Sequence, residues 1–345
     1  MDASNSVWRL LNDLSTKKGI SEVIINNIDN IYIERDGELI RLNVKTTADD
    51  IMGFCKDVAK FNKVNFNLNN PIIDGVLPDG SRINIISQTY TTSAPAITIR
   101  KYLKSIRTFD ESPGIFGLNE KWKVFIQTLV QSKQNIIISG GTGNGKTTFM
   151  NLMLQEVSPA ERIVTIEDTK ELQFNLPNTV RLVSKGTSSN IEQPLTIRDL
   201  LKNTLRMRPD RIIIGEVRGA EAFDLLQAMN TGHDGSMCTI HANTPAECLS
   251  RLENLFLFAG FDIPMLAVRQ QLSTAVDFIV QLDRDRDGKR IVRKISEVSN
   301  MEGDRILLQD VGVHEDGEAI FTGLVPKRMK QLMEYGLSSD FFLDT

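Results

Sequence analysis

The residues from Gly140 to Thr147 read Gly-Gly-Thr-Gly-Asn-Gly-Lys-Thr and fit the phosphate-loop spacing G-x-x-x-x-G-K-[ST]. Glycines let backbone N–H groups converge on an anion, and a helix leaving from Lys146 adds the positive end of its dipole. The chemistry expected is capture of the triphosphate of ATP. Gly141, Thr142, Gly143, Asn144, Gly145 and Thr148 would line the cradle. Lys146 would reach the β- and γ-phosphates, and Thr147 would offer an oxygen to Mg²⁺. A glycine-rich turn that only happens to precede a helix gives this spelling somewhere in a chain with a chance on the order of one in a hundred. The apolar run 136–138 ahead of the loop and the amphipathic segment behind it lower that chance further.

Hydrolysis also needs a group to orient water and carboxylates to hold the metal, placed at strand ends beside the loop. Two apolar runs end in acids. Residues 163–166 run into Glu167 and Asp168, with Glu171 following, and residues 212–214 run into Gly215 and Glu216. In open α/β sheets functional groups collect at the carboxyl ends of strands. Asp168 and Glu171 read equally well as solvated loop acids. Glu216 reads as functional, because residues 211–216 look like a Walker B strand lacking its usual aspartate, which leaves the metal ligands open. Of three histidines, His233 and His241 fall within one short stretch, and His241 follows the strand-like run 236–240. That placement favours a γ-phosphate sensor over a core histidine. A zinc site from Cys238, His241 and Cys248 is disfavoured, since the spacing matches no zinc pattern.

Elements must hold these groups in place. Before residue 108 short strands mix with helices: a helix over 7–18, strands over 22–26, 31–35 and 39–44, and a hairpin signal at Asp36-Gly37. A helix follows over 47–61, capped by Thr46 or Thr47, then a hairpin over 72–86 and a strand over 96–101. This predicts a small α+β domain, residues 1–108. Residues 109–118, with Pro113, Gly114 and Gly117, read as a linker. From 119 to 345 strands alternate with helices, which calls for a parallel sheet covered on both faces. Past about 276 antiparallel-like strands and a helix near 327–335 suggest a C-terminal subdomain.

A formal charge of −4 is the wrong sign for a protein that wraps nucleic acid. The start shows no secretory signal, no run approaches the roughly 18 apolar residues that span a bilayer, and three cysteines suggest no disulfide framework. The expected compartment is reducing cytoplasm.

Taken in order, several blocks resemble the secretion-system ATPases of the type II and type IV superfamily, and within it the Tad (Flp) pilus assembly ATPase of the CpaF type. They are residues 77–84, 97–101, 139–148, 165–172, 205–222, 231–235 and 239–243, with a tail at 296–304 and 307–310. The resemblance runs from about residue 20 to the C-terminus. It implies an α/β architecture, a RecA-like P-loop NTPase motor domain behind the smaller N-terminal domain, assembled as a homohexamer on an inner-membrane platform at its cytoplasmic face. By resemblance, Glu167 and Glu216 are hydrolytic carboxylates, which with Thr147 serve Mg²⁺, while His241 senses phosphate and Arg82 and Arg100 close over the nucleotide. The expected function is an ATP-driven motor of pilus assembly. The alternatives are a type IV secretion ATPase moving protein or DNA and, less favoured, a RecA-like nucleic-acid translocase, which should bring a basic channel and stacking aromatics.

Overall fold

The computed structural model describes residues 4–35, 38–91, 93–101, 108–184, 194–260 and 262–343. The hairpin signal at Asp36-Gly37 lies outside them. The chain divides into two compact units, one built on residues 1–104 and the other on residues 105–184 and 196–345.

The smaller unit runs α1 (Ser6–Ser15), β1 (Ile20–Asn27), β2 (Asn30–Arg35), β3 (Glu38–Leu42), α2 (Ala48–Asn62), β4 (Ile72–Val76), β5 (Arg82–Ile86) and β6 (Ala96–Arg100). Its strands form one antiparallel sheet in the order β3-β2-β1-β6-β5-β4. Period-two alternation turns Val23, Ile25, Ile83, Ile85, Ile97 and Ile99 to one face, where they pack with Trp8, Phe54 and Val58 of the two helices. Thr47 caps α2 by accepting the Asp50 N–H at 3.1 Å, and Asp49 and Asp50 sit at the positive end of its dipole. Trp8 Nε1 donates to Asp57 at 2.9 Å and ties α1 to α2.

The larger unit contains α3 (Glu120–Gln131), β7 (Ile136–Gly140), α4 (Lys146–Leu154), β8 (Ile163–Glu167), β9 (Thr179–Val183), α5 (Ile197–Thr204) and β10 (Arg211–Ile214). It continues with α6 (Glu221–Asn230), β11 (Met237–Ile240), α7 (Pro245–Leu257), α8 (Met265–Ala275) and β12 (Phe278–Arg284). The chain then closes with β13 (Arg290–Glu302), β14 (Arg305–Glu315), β15 (Glu318–Phe321) and α9 (Met329–Glu334). The sheet order is β15-β14-β13-β12-β7-β11-β10-β8-β9, parallel from β12 to β9 and antiparallel from β12 to β15. Both faces are covered, so the central strands β7, β8, β10 and β11 are buried at every position instead of alternating. Ile136 and Ile138 pack with Trp122, Phe149 and Leu332 on one face. Ile137, Ile212, Ile214 and Ile240 pack with Leu201, Leu225, Leu252 and Leu272 on the other. The larger unit is thus an α/β domain of the RecA-like P-loop fold, and the smaller N-terminal unit is an α+β domain.

The structure differs from the sequence reading in three places. Segment 109–118, expected as a linker, packs with the larger unit: Phe109, Phe116 and Leu118 are buried in its core, and Phe116 meets Phe149 edge-on at 5.2 Å between centroids. The tail past 276 extends the main sheet, because β12 pairs with β7 directly. Helix α8, which periodicity did not separate from α7, is a distinct element starting behind Pro264.

Arg211 is fully buried and forms a bidentate pair with Glu161, Nε at 2.8 Å and Nη2 at 3.1 Å, while Nη1 donates to the Gly235 carbonyl at 3.3 Å. Burial acts to raise the Glu161 carboxyl, and the hydrogen bond and charge of Arg211, with Lys133, outweigh it and hold it below its usual range. Gly235 has φ +79°, and a Cβ there would lie 2.5 Å from Arg211 Nη1. Gly235→Ala is therefore expected to cost about 2–4 kcal/mol, through left-handed strain and a displaced buried ion pair. Chemical denaturation checks this, and an unchanged midpoint would contradict it.

Asp277 accepts the Asn135 N–H at 2.8 Å and pairs with Arg328 just before α9. Burial raises its carboxyl from 3.8 to about 6, against the pull of Arg328 and the Asn135 N–H. A raised folded value means that the stability from this group is full below the unfolded 3.8 and is lost as pH rises through about 6. Relative to wild type, Asp277→Asn should gain stability between about pH 4 and pH 7, by up to about 3 kcal/mol. Unfolding free energies measured across that window check this; a pH-independent difference would contradict it.

Candidate functional site

Four parallel strands set the site. Register pairs Ser139 of β7 with Ile240 of β11, Cys238 of β11 with Ile214 of β10, and Ile214 with Ile166 of β8. All four carboxyl ends therefore open on one rim. The phosphate loop leaves β7, His241 follows β11, Glu216 follows β10, and Glu167 ends β8.

The loop turns between β7 and α4 with Gly143 at φ +75° and Gly145 at φ +87°, a region that side chains rarely enter. Lys146 Nζ donates to the carbonyls of Gly140 and Gly141, both at 2.9 Å, so its ammonium lies inside the turn of the loop. Asn144 donates through Nδ2 to Leu282 O at 3.3 Å, which pins the loop to β12. Thr142 Oγ1 and His241 Nδ1 lie 3.4 Å apart, bringing the expected sensor to the loop. His233 instead sets its Nδ1 3.3 Å from Ala228 O.

Glu167 is three strands from β7, roughly 14 Å at the usual strand spacing. Its Oε1 accepts the N–H groups of Glu171 and Leu172, both at 2.8 Å, and it is buried with no hydrogen-bond partner at Oε2. Burial raises its carboxyl above the usual range despite those two N–H groups. The loop it fixes reaches back to the phosphate loop, where Thr147 Oγ1 donates to Glu171 Oε2 at 3.2 Å. The acid beside the Thr147 hydroxyl is thus Glu171, one of the two that sequence left balanced against a solvated loop.

Mg²⁺ takes oxygen donors and is held by one or two carboxylates together with substrate phosphates and water. A hydroxyl and a carboxylate 3.2 Å apart at the helix entrance fit that requirement. Among the described residues no group of three His, Cys, Asp or Glu side chains could hold a metal by itself. Cys238 and Cys248 are fully buried, and burial pushes both thiols up.

Glu216 is tied to Arg218, Nη2 to Oε2 at 2.5 Å, and the same guanidinium donates to Asp168 at 3.1 Å. Arg218 so bridges the ends of β10 and β8, and its hydrogen bond to Glu216 raises its own pKa further. The sequence reading gave Arg218 no role, although it stands two residues past Glu216. It also passed over Gln281, which is buried in β12 and donates to Ala242 O and Leu282 O at 3.2 and 3.3 Å. Two further arginines went unread, Arg284 and Arg290, whose guanidinium groups donate to Gly143 O at 3.1 and 3.0 Å. Only the hairpin pairing of β12 with β13 brings them to the loop. Arg82 and Arg100 belong to the smaller unit, where they are direct cross-strand partners on β5 and β6.

The chain is similar to known proteins along most of its length. The chain is 35% identical over 292 residues to the conjugal transfer protein TrbB of Rhizobium radiobacter, covering 83% of this chain and 85% of that protein. It is 32% identical over 302 residues to a putative conjugal transfer protein of Mycobacterium tuberculosis, covering 85% of each. A crystal structure of the pilus retraction motor PilT with bound ADP superposes with a TM-score of 0.63 at 22% identity, covering 86% of this chain and 84% of that one, a likeness of fold. Residues 6–323 match the family described as type II/IV secretion system protein, and the chain belongs to that family.

Proposed function

We propose that this chain is a Mg²⁺-dependent ATPase that drives a type IV secretion apparatus, moving protein or DNA substrates. The observation that carries it is one rim holding the phosphate loop, the Thr147–Glu171 pair and Glu216. The relatives named for conjugal transfer are 32–35% identical over most of both chains, which favours this reading over Tad pilus assembly. The Tad-like tail supports pilus assembly less than its spelling suggests. Residues 300–304 lie where β13 turns into β14, with Met301 facing Ile306 and Glu302 facing Arg305, so hairpin formation alone accounts for them.

In this reading the loop N–H groups and Lys146 bind the phosphates, and Thr147 and Glu171 hold the metal's shell. The metal, when bound, neutralises charge on the β- and γ-oxygens. A water attacks the γ-phosphorus, the bond to the β–γ bridging oxygen breaks, and ADP and phosphate leave. Glu216 accepts a hydrogen bond from that water. Its pairing with Arg218 holds the carboxylate in place as an orienting group. Glu167 acts through the loop it braces, His241 reads the γ-phosphate through Thr142, and Arg82 and Arg100 add cationic stabilisation. A homohexamer on an inner-membrane platform, with residues 1–108 as the N-terminal domain, belongs to the same proposal. No helix among the described residues is long and apolar enough to cross a membrane.

Glu216→Gln should keep nucleotide binding while steady-state turnover falls by roughly 10²-fold or more. Undiminished turnover would overturn the role of Glu216. Adding single-stranded or duplex DNA should leave the wild-type rate unchanged, whereas strong stimulation would favour a nucleic-acid translocase.

A further inference from the structure

Five buried residues open β12, Phe278 to Leu282, and four of them are apolar. Gln281 is the exception. Its Nε2 lies 3.2 Å from Ala242 O and 3.3 Å from Leu282 O. Carbonyls only accept hydrogen bonds, so the amide faces them with its nitrogen and turns Oε1 away. Oε1 is buried with no hydrogen-bond partner among the described residues. An apolar side chain at this place would avoid that orphan, because buried polar atoms are costly unless paired. Core packing therefore gives no reason for a glutamine here.

The two carbonyls supply one. Each also takes a donor from the site: Ser139 Oγ reaches Ala242 O at 3.3 Å, and Asn144 Nδ2 reaches Leu282 O at 3.3 Å. Register sets Gln281 beside Ser139 and Leu282 beside Gly140, so the cluster lies at the root of the phosphate loop. One nitrogen thus spans the carbonyl that anchors Asn144 of the loop and the carbonyl of the residue after His241. His241 is thereby held between two fixed points, Ile240 in its ladder with Ser139 and the carbonyl of Ala242. From there its Nδ1 stands 3.4 Å from Thr142 Oγ1 of the loop.

We propose that Gln281 is a positioning residue for hydrolysis: by bridging the Ala242 and Leu282 carbonyls it fixes His241 relative to the phosphate loop. This rests on the ATPase reading of the site, with His241 as its phosphate sensor. The grip of Lys146 and the loop N–H groups on phosphate does not pass through Gln281. Its loss should therefore appear in kcat and leave affinity nearly unchanged.

The test is steady-state hydrolysis of ATP by the full chain with Mg²⁺, on wild type, Gln281→Met, His241→Ala and the variant carrying both. Equilibrium binding of ADP and thermal unfolding are measured beside it. Methionine matches glutamine in length and offers no donor. It leaves each carbonyl its other donor, so the unfolding midpoint should stay within about 4 °C of wild type. Turnover should fall about tenfold, as for a group displaced from its working position, while ADP affinity changes by less than about threefold. The double variant decides the matter. If Gln281 acts through His241, adding Gln281→Met to His241→Ala costs nothing further, because the group it positions is gone. Rate losses that multiply in the double variant overturn the inference, and so does a loss of ADP affinity as large as the loss of rate. Wild-type turnover in Gln281→Met beside a slow His241→Ala overturns it too. Should Gln281→Met not fold, Gln281→Leu repeats the cycle, and failure of both makes the glutamine a structural element and ends the proposal. A His241→Ala variant at full rate overturns the sensor role, a wild type that hydrolyses no ATP overturns the ATPase reading, and the inference falls with either.

Discussion

Everything at the site depends on the parallel hydrogen-bonded pairing of β7, β11, β10 and β8. Pairing in one direction sends four carboxyl ends to one rim, where the phosphate loop, His241, Glu216 and Glu167 stand. The lateral spacing is fixed at about 4.8 Å per strand, so it also decides which groups meet directly. His241, one strand from the loop, reaches Thr142. Glu167, three strands away, acts at a distance through the loop that carries Glu171 back to Thr147. The pairing in turn requires helices on both faces, since strands buried at every position have no solvent side to offer.

Polar groups then lock the rim. Glu167 braces the loop that follows β8, Arg218 ties the end of β10 to that of β8, and Gln281 joins β12 to the segment after β11. Leaving Glu167 Oε2 and Gln281 Oε1 buried without a partner costs about 1–3 kcal/mol each. Such costs are retained where the arrangement serves a function and a well-packed core supports it, and here that core surrounds Phe149 and Leu226. At the opposite end of the sheet Arg211 and Glu161 anchor the start of β10, which explains why Gly235 must stand where no side chain fits.

Much of this was legible in the sequence, because local rules and the fold agree. The phosphate loop has a fixed spelling with a physical reason at each letter, and the strands that end in Glu167, Ile214 and Ile240 announce themselves as apolar runs bounded by polar residues. The α/β alternation followed from period and punctuation. Segment 109–118 misled because Pro113, Gly114 and Gly117 read as punctuation, while the buried Phe109 and Phe116 around those signals decide its place. Glu171 could not be separated from a solvated loop acid, since its approach to Thr147 depends on how Glu167 folds the loop. Arg284 and Arg290 were invisible for a similar reason: more than a hundred residues separate them from Gly143, and only sheet pairing closes that gap. Subtype was the least legible feature, because the tail that suggested pilus assembly is spelled by a hairpin.

The central claim is that the rim at the end of β7 holds ATP together with Mg²⁺. The most direct measurement is calorimetric titration of the full chain with ATP, in excess Mg²⁺ and again in excess chelator, for wild type and Lys146→Ala. The account predicts saturable binding by the wild type that weakens at least tenfold in chelator, and the loss of that binding when the Lys146 ammonium is removed. A wild type that releases no binding heat and shows no displacement of a fluorescent nucleotide would contradict it, as would a Lys146→Ala variant that binds ATP as tightly as the parent.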